Sequence, residues 1–268
     1  LVRERSPERP VALVRRRSVS VAARWFQDNL NADVFYAVKA NPSRWVIETL
    51  VESGVTAFDV ASLAEIELVR SVLPDARLAF MHPVKSRSAI SKAYFDHGVR
   101  TFSLDCQDEL DKILDATGQA TDLNLVQRMA VSAEGAAYTL SGKFGVSVDQ
   151  APTLLMAVRR AVKDGLMGVS FHVGSQCMRP TAYQAAMAQV GRAISRAGVI
   201  VDIVDVGGGF PSVYPGMVPP DMSEYADAIH RGFAEMPVSE TTELWCEPGR
   251  ALVAESSSVL ARVELRKG

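Results

Sequence analysis

The stretch FYAVKANPS, residues 35–43, joins an apolar run to a lysine and then to a loop signal. The aromatic and β-branched residues of this run are good strand formers, and Asn41-Pro42 is typical of a loop. Lys39 therefore lies at the end of a predicted buried strand. A lysine in such a place is costly unless its amine is paired or reactive, so we expect Lys39 to have a function.

Similar apolar runs recur along the chain and alternate with segments of helical character. The predicted strands cover residues 34–40, 55–62, 76–83, 99–105, 122–131, 167–174, 201–209 and 243–249. Eight apolar strands that alternate with helices favour parallel pairing with both faces buried. In a chain of this size the pattern predicts an α/β fold, a TIM-type (β/α)8 barrel. An open, doubly wound sheet is the competing interpretation, and it usually has fewer strands.

The composition is that of one large globular domain. The chain has 268 residues, 48% of them hydrophobic, and a formal net charge of -2, so nothing indicates a nucleic-acid partner. No apolar run is long enough for a membrane span, and the charged start LVRERSPERP lacks the apolar core of a signal peptide. The three cysteines are widely spaced without a metal-ligand pattern, so we expect no metal and a reducing, cytoplasmic setting.

Polar residues stand where the predicted strands end, and the opposite ends carry no comparable set. A barrel enzyme places its functional residues at the carboxyl ends of the strands. The residues found there are Lys39, Asp59, His82, Asp105, Arg128, His172, Gly207, Gly208, Gly209 and Glu247, at least one from every strand. This coincidence indicates an enzyme.

Each of these residues also has a purely structural interpretation. The stem of Lys39 could pack while its amine reaches water, and Asp59 and Asp105 could cap the helices that follow them. The histidines could be satisfied core residues. Arg128 is harder to explain in this way, because a buried guanidinium needs an anionic partner. Cys246 is most simply a small buried hydrophobe.

Two features point to a phosphate group. The triple glycine after the seventh strand can present successive backbone N–H groups to an anion, and Arg250 after the eighth strand can add a bidentate contact. TIM barrels often bind phosphate between these two loops. A lysine together with a phosphate cradle suggests pyridoxal 5'-phosphate, bound covalently through Lys39. Glu247 is then placed to pair with the pyridine nitrogen, and His172 to stack on the ring.

Six motifs occur in the order that they have in one protein family: YAVKANP, FDVASLAEIE, SGKFG, GVSFHVGSQC, VDVGGGFP and CEPGR. With them the chain, from about residue 10 to residue 262, resembles the alanine-racemase-fold pyridoxal-phosphate decarboxylases that act on ornithine, diaminopimelate and arginine. FHVGS and GGGFP are similar to the ornithine/lysine branch. Diaminopimelate decarboxylases tend to differ after the triple glycine.

The resemblance implies a role for each matching residue. Lys39 would bind the cofactor covalently, His172 would stack on its ring and Glu247 would pair with its nitrogen. Phosphate contacts would come from Ser175, Gly207, Gly208, Gly209 and Arg250, while Gly249, Asp59, Glu65 and Arg128 would lie at or near the cofactor. The catalytic residues are thus expected to be Lys39, His172 and Glu247.

The function expected from this resemblance is decarboxylation of a basic amino acid, foremost L-ornithine to putrescine, by a cytoplasmic homodimer without nucleic-acid or membrane partners. Diaminopimelate or another basic amino acid is the alternative substrate. An amino-acid racemase is disfavoured because Glu247 makes a strong electron sink. A non-catalytic homologue that binds and regulates a partner protein is the alternative of a different class, and the cofactor residues argue against it.

The expected organisation is an N-terminal segment with a leading helix (1–30), the cofactor-binding barrel (31–262) and the start of a further β domain (263–268). In the resembled family that domain supplies substrate-binding acidic residues and a catalytic cysteine that acts across the dimer interface. It is absent from this chain, which has no cysteine after Cys246. The Gly- and Ser-containing loop at 132–146 is longer than the others, so we expect it to be functional.

Overall fold

A computed structural model describes residues 7–132, 135–138 and 142–267, with the backbone alone for residues 137 and 138. The loop expected at 132–146 therefore lies partly outside the described residues. The strands of the described part are β1 (Val11–Val14), β2 (Asp33–Ala37), β3 (Ala57–Val60), β4 (Arg77–Phe80), β5 (Thr101–Leu104), β6 (Asn124–Ala130), β7 (Ala136–Tyr138), β8 (Val146–Ser147), β9 (Met167–Phe171), β10 (Ser175–Cys177), β11 (Ile203–Asp205), β12 (Glu243–Cys246) and β13 (Ser257–Leu260).

Helices alternate with the strands as the sequence predicts. They are α1 (Arg16–Asn29), α2 (Arg44–Glu52), α3 (Leu63–Val72), α4 (Arg87–Phe95), α5 (Gln107–Ala116), α6 (Ala151–Ala161), α7 (Thr181–Ala197), α8 (Met222–Ala234) and α9 (Arg250–Val253), with a 3-10 turn at Val38–Ala40. None of the described helices is long and apolar enough to cross a membrane.

Eight parallel strands close into a barrel in the order β2-β3-β4-β5-β6-β9-β11-β12. The barrel closes where β12 pairs with β2, through Trp245–Asp33 and Cys246–Val34. A short ninth strand, β8, pairs with the end of β6. The predicted TIM-type barrel is confirmed, and the open doubly wound sheet is excluded because no edge remains between β5 and β6.

The apolar residues of the strands form two layers of core. One layer lies between the barrel and its surrounding helices, because both faces of each strand are covered. The other fills the barrel itself and consists of Phe35, Ala57, Ala79, Met81, Val126, Ile203 and Trp245. The barrel is thus a packed core whose polar residues are confined to its ends.

Arg77 closes the amino-terminal end of the barrel. Its guanidinium lies 4.5 Å from the ring centroid of Trp245 and pairs with Glu243 at 2.8 Å and with Asp33 at 2.5 Å. Phe35 stacks on Trp245 with a centroid distance of 4.4 Å. This end is sealed by structural contacts, which leaves the carboxyl ends of the strands for a site.

The helices that follow β3 and β5 are not capped by the aspartates proposed for that purpose. Ser62 caps α3 by accepting a hydrogen bond from the backbone N–H of Glu65. Cys106 precedes α5 without a side-chain cap. The capping interpretation of Asp59 and Asp105 is therefore wrong, since neither side chain makes that contact, and both remain available to the barrel mouth.

Two antiparallel ribbons lie outside the barrel and were not predicted. β1 pairs with β13 in a register that joins Val11 to Leu260 and Val14 to Ser257. Arg15 extends this ribbon, because its backbone N–H donates to the carbonyl of Ser256 at 2.7 Å. The second ribbon pairs β10 with β7 beside the end of β9.

Candidate active site

Lys39 lies in the 3-10 turn immediately after β2. Tyr36 fixes this turn by donating its hydroxyl to the carbonyl of Asn41 at 3.1 Å, and the Asn41 side chain accepts from the N–H of Ser43. The strand is buried as predicted, but the Lys39 side chain itself is 55% exposed at the barrel mouth. The turn thus carries the amine out of the core to the accessible barrel mouth.

Asp59 receives the Lys39 amine. Its Oδ2 accepts a hydrogen bond from Lys39 Nζ, while its Oδ1 is buried without a partner among the described residues. Desolvation lowers the pKa of Lys39, but the carboxylates of Asp59 and Glu247 outweigh it and hold that pKa above its ordinary value. The amine is therefore stored as an ammonium ion. Glu65 lies near this pair, and its Oε2 accepts a hydrogen bond from the N–H of Ala61 at 2.7 Å.

His172 follows β9 and is held as a neutral imidazole. Its Nδ1 accepts a hydrogen bond from the N–H of Gly174 at 2.9 Å, which leaves the proton on Nε2. Burial, followed by the positive charges of Arg128 and Lys39, lowers the pKa of His172 to about 3. The ring is an uncharged, oriented face at neutral pH.

The glycine run after β11 packs between the ends of β9 and β12. A Cβ on Gly207 would lie 2.2 Å from the carbonyl oxygen of Phe171, and one on Gly208 would lie 2.7 Å from that of Glu247 and 3.3 Å from His172 Nε2. Gly207 and Gly209 also have positive φ angles, 68° and 102°. Only glycine fits here without displacing backbone.

The carbonyl groups of the glycine run all point into the protein. Those of Gly207, Gly208 and Gly209 accept hydrogen bonds from Glu247 N, Tyr183 Oη and Cys177 N at 2.9, 3.0 and 2.9 Å. The run is therefore fixed from its carbonyl side. A backbone held in this way can offer N–H groups to an anion without further rearrangement.

Ser175 and Arg250 meet beside the glycine run. Arg250 Nη2 donates to Ser175 Oγ at 3.2 Å, and Nη1 donates to the hydroxyl of Tyr214 at 2.9 Å. Tyr214 thus fixes the guanidinium from the other side. A cation, a hydroxyl and a glycine run in one place form a set of groups suited to a phosphate.

Glu247 follows β12 and is buried among other acids. Its Oε1 has no partner among the described residues, and burial, followed by the charges of Asp205 and Asp59, raises its pKa well above the ordinary value. The next residues hold the loop to β2. Pro248 accepts a hydrogen bond from Ala37 N at 3.2 Å, and a Cβ on Gly249 would lie 2.9 Å from that of Ala40.

Arg128, His82 and Phe144 form the remaining wall of the mouth. The Arg128 guanidinium lies 5.7 Å from the ring centroid of Phe144, and His82 contacts the same ring edge-on at 5.1 Å. No carboxylate of the described residues lies within ion-pair distance of Arg128. Asp105 holds the loop that carries Phe144, since its Oδ2 accepts from the N–H of Gly145 at 2.8 Å.

Sequence reasoning missed three residues of this site. Asp205 faces Glu247 with its carboxyl group, Tyr214 holds Arg250, and Gln176 holds the backbone of Ser212 through both ends of its amide. An aspartate inside the apolar run IVDVGGG was a usable signal for the first. Nothing in the sequence marks the other two, because their partners are 36 positions away along the chain.

A groove of about 830 Å³ lies next to the mouth, lined by α1, α9 and the segment after the glycine run. It contains Trp25, Pro211 and Leu252 but none of the predicted site residues. The predicted site residues are therefore concentrated in the mouth and not in this groove.

A parallel barrel with a lysine, a glycine run and a buried glutamate at one mouth is the fold and site of a class of pyridoxal-phosphate proteins. The sequence matches the family described as "Pyridoxal-dependent decarboxylase, pyridoxal binding domain" over residues 16–254. The chain belongs to this family. Its cofactor is pyridoxal 5'-phosphate.

Curated relatives have related names. The chain is 34% identical to a lysine/ornithine decarboxylase of Selenomonas ruminantium over 238 residues, and 32% identical to the ornithine decarboxylase of Mus musculus over 249 residues. It is also 34% identical over 238 residues to antizyme inhibitor 2 of Xenopus laevis. These matches cover 87%, 91% and 87% of this chain but 58%, 52% and 50% of the relatives. The chain thus spans about half the length of the curated relatives it matches.

Solved structures share the barrel. A mutant of SrLDC in complex with PLP superimposes with a TM-score of 0.84 at 29% identity, and a lysine/ornithine decarboxylase of Vibrio vulnificus complexed with cadaverine with 0.80 at 28%. An arginine decarboxylase of Paramecium bursaria Chlorella virus bound to agmatine gives 0.81 at 26%. Each superposition covers 96% of this chain and 66%, 67% and 69% of the respective structure.

The residues at the mouth fit the cofactor chemically. Glu247 has a buried oxygen without a partner, which is the group that a pyridine nitrogen requires. Arg128 lacks an anionic partner within the described residues, and the glycine run leaves room that any side chain would fill. A lysine, an unsatisfied acid and an anion cradle therefore match the aldehyde, the nitrogen and the phosphate of one ligand.

Proposed function

We propose that this protein is a pyridoxal-phosphate-dependent decarboxylase of a basic amino acid, acting foremost on L-ornithine to give putrescine. The observation that carries the proposal is the convergence of Lys39, Asp59 and Glu247 on one barrel mouth beside the glycine run. When bound, the cofactor supplies an electron-withdrawing ring that can accept the electron pair left by a departing carboxylate.

Lys39 and Asp59 form the part of the site that would act at the cofactor aldehyde. Lys39 is placed to bind that aldehyde. Asp59 holds the Lys39 amine in position and keeps that amine protonated while it is not bound to the cofactor. Because Asp59 Oδ2 is fully desolvated, its contact with the amine is stronger than the same pair would be in water. The pair therefore stores the amine charged and oriented.

His172 and Glu247 would contact the pyridine ring of the cofactor. His172 is neutral and fixed by Gly174, so it can cover one ring face without adding a positive charge beside Lys39. Glu247 offers its unpartnered Oε1 to the ring nitrogen. A carboxylate there keeps the nitrogen protonated, which favours loss of a carboxylate over racemisation.

The phosphate would be held by Ser175, Arg250 and the glycine run, with Gly249 allowing the Arg250 loop to approach β2. Arg128 has no carboxylate partner among the described residues and would face the ring substituents or the substrate. These roles for Lys39, Asp59, Arg128, His172, Ser175, Gly207, Gly208, Gly209, Glu247, Gly249 and Arg250 are parts of the proposal.

The substrate is assigned from the relatives, whose names include ornithine, lysine and arginine decarboxylases. The test is to measure CO₂ release by the full-length gene product with ornithine, lysine, arginine and diaminopimelate side by side. We expect the highest kcat/KM with ornithine. A preference for diaminopimelate, or no release from any of the four, would contradict the proposal.

A regulatory homologue is the second candidate, because one relative of equal identity is named antizyme inhibitor 2. The site favours catalysis over this alternative, since Lys39, His172 and Glu247 are all present and aligned. Binding of pyridoxal phosphate distinguishes the two. A protein that binds a partner but forms no covalent adduct at Lys39 would support the regulatory function.

We further propose a cytoplasmic homodimer and the division into a leading segment (1–30), the cofactor barrel (31–262) and the start of another domain (263–268). The family match over residues 16–254 includes all eight barrel strands and so supports a cofactor barrel in this part of the chain. Sedimentation of the full-length product tests the dimer, and an active monomer would contradict it.

A further inference from the structure

Asp205 ends β11 inside the barrel mouth and is 1% exposed. Its Oδ1 accepts a hydrogen bond from the N–H of Gly207 at 2.8 Å, and its carboxyl group faces that of Glu247, where Asp205 Oδ2 and Glu247 Oε1 are both buried without a partner among the described residues. Glu247 closes the ring of contacts, because its own N–H donates to the carbonyl of Gly207 at 2.9 Å. Asp205 therefore connects the glycine run to the glutamate.

Charged groups from several strands face this pair. Asp59 on β3 raises the pKa of Asp205, Arg128 on β6 lowers it, and the thiol of Cys246 lies next to it on β12. Lys39 faces Glu247 from the turn after β2. Two buried carboxyl groups in contact cannot both be ionised without a large cost, so they retain one proton between them.

We propose that Asp205 is a positioning residue for Glu247, and that the two carboxyl groups share a single proton and act as one monovalent acid toward the ring nitrogen. Without a ligand the proton lies on Glu247, which donates to Asp205. With a protonated ring nitrogen bound, Asp205 would hold the shared proton and Glu247 would be the carboxylate. The pair keeps one negative charge, which balances the one positive charge of the ring. The role on the ring rests on the proposed function, but the shared proton does not.

The shared proton has a consequence for the chain without cofactor. Burial raises the pKa of Asp205 to about 6 from its ordinary 3.8. A carboxyl group with a raised pKa stabilises the fold below its unfolded pKa and loses that contribution as the pH rises through its folded pKa. The contribution of Asp205 to the stability of the cofactor-free chain should therefore be lost as the pH rises from about 4 to about 6, with a further loss as Glu247 ionises.

The test compares the unfolding midpoint of the cofactor-free chain across pH for wild type and for Asp205→Asn. The amide keeps the hydrogen bond from Gly207 and can donate to Glu247, but it cannot titrate. Asp202→Asn is the matched control, since Asp202 precedes the same strand and accepts one backbone N–H, that of Met167, also at 2.8 Å. We expect Asp205→Asn to remove the loss of stability between about pH 4 and pH 6 from the profile of the unfolding midpoint. Asp202→Asn should leave that profile unchanged.

Glu247→Gln should leave the loss between about pH 4 and pH 6 in place, because burial raises the pKa of Asp205 whether or not residue 247 titrates, and should remove the further loss at higher pH. A pH dependence in Asp205→Asn that parallels the wild type would overturn the shared proton. Infrared spectra supply a second measurement of it. The band of a protonated carboxyl group at neutral pH should be present in the wild type and lost in Glu247→Gln, and its absence from the wild type would also overturn it.

Titration with pyridoxal phosphate tests the positioning role. We expect Asp205→Ala to weaken cofactor affinity about tenfold, equivalent to ~1.4 kcal/mol, while Asp205→Asn stays near the wild type. If Asp205→Ala folds and binds the cofactor with wild-type affinity, Asp205 does not position Glu247. If Asp205→Ala does not fold, an affinity loss in Asp205→Asn as large as that in Glu247→Gln would equally overturn the positioning role. A wild type that binds no cofactor would refute the proposed function, and the unfolding data would still decide the shared proton.

Discussion

Lys39 contacts Asp59 because Ala37 pairs with Asp59 across the parallel strands β2 and β3. Lys39 follows two residues after that pairing, in the turn that leads out of the strand. The register of two strands thus determines which carboxylate receives the amine. A slip of one residue would turn Asp59 toward the helices and leave the amine without its partner.

Lys39→Ala should abolish the visible absorption band that the cofactor acquires when it is bound covalently to lysine. The physical reason is that no other amine is held at the barrel mouth by Asp59. The measurement is the spectrum of purified protein after addition of pyridoxal phosphate. Lys92→Ala, on the exposed face of α4, is the control and should keep the band. An unchanged band in Lys39→Ala would contradict the assignment of Lys39 as the residue that binds the cofactor.

Asp59→Asn should lower the pKa of the Lys39 amine, because the carboxylate that raises it is removed while burial remains. The pH at which Lys39 becomes half-modified by an amine-selective reagent should fall, as followed by peptide mass spectrometry. Lys92 serves as an internal reference in the same digest. A midpoint that does not move would show that Asp59 does not set the charge of the amine.

Glu247→Gln should reduce turnover far more than it reduces cofactor affinity. A neutral amide cannot keep the ring nitrogen protonated, and a loss of about 3 kcal/mol of transition-state stabilisation would slow the reaction roughly a hundredfold. The measurement is kcat with the preferred substrate beside the Kd for the cofactor. Glu243→Gln, at the other end of β12, should leave turnover near the wild type. Equal turnover in both variants would remove Glu247 from the mechanism.

His172 should contribute to acid sensitivity. Its pKa is about 3 in the folded chain and 6.5 ordinarily, so its stabilising contribution is complete above pH 6.5 and is lost as the pH falls toward 3. We expect His172→Asn to remove roughly 2–4 kcal/mol of the acid-induced loss of unfolding free energy. Denaturant titrations at several pH values test this, with His97→Asn as the control. The same acid slope in His172→Asn and the wild type would contradict it.

Gly208→Ala should damage the cradle although its φ angle is not positive. The added Cβ would lie 2.7 Å from the carbonyl oxygen of Glu247, which is backbone and cannot move cheaply. We expect a loss of about 1–3 kcal/mol of stability and weaker cofactor binding. Gly198→Ala is the control for cofactor binding, because its Cβ would meet nothing within 4 Å and the φ angle of +62° at this helix end strains only the backbone there. If both variants bind the cofactor like the wild type, the cradle is not where we place it.

The barrel and most of its mouth could be predicted because parallel strands place their carboxyl ends together whatever the loops do. That rule alone brought Lys39, His172 and Glu247 to one end of the fold. It could not tell how each side chain is used. Asp105 could have capped the helix that follows it, but its carboxylate accepts a hydrogen bond from the N–H of Gly145, which lies in a loop 40 residues further along the chain.

Asp205 shows where sequence reasoning stops. Its importance depends on burial and on a partner, Glu247, that lies on the neighbouring strand β12. The aspartate inside an apolar run is visible in the sequence, but neither its burial nor its partner can be read from that run. Tyr214 is hidden for a related reason, because an irregular segment places its hydroxyl on Arg250.

The pairing of β2 with β12 also has a consequence for synthesis on the ribosome. The first strand of the barrel finds its second neighbour only after residue 246 has emerged from the exit tunnel. Until then β2 and β11 each present an unpaired edge, and a nascent chain with two open edges is exposed to wrong partners. Closing a barrel whose first and last strands are more than two hundred residues apart costs conformational entropy. The barrel contacts offset this cost only after β12 has paired with β2. Elongation rate and chaperone access late in translation should therefore limit the yield of this protein more than the strength of any single contact.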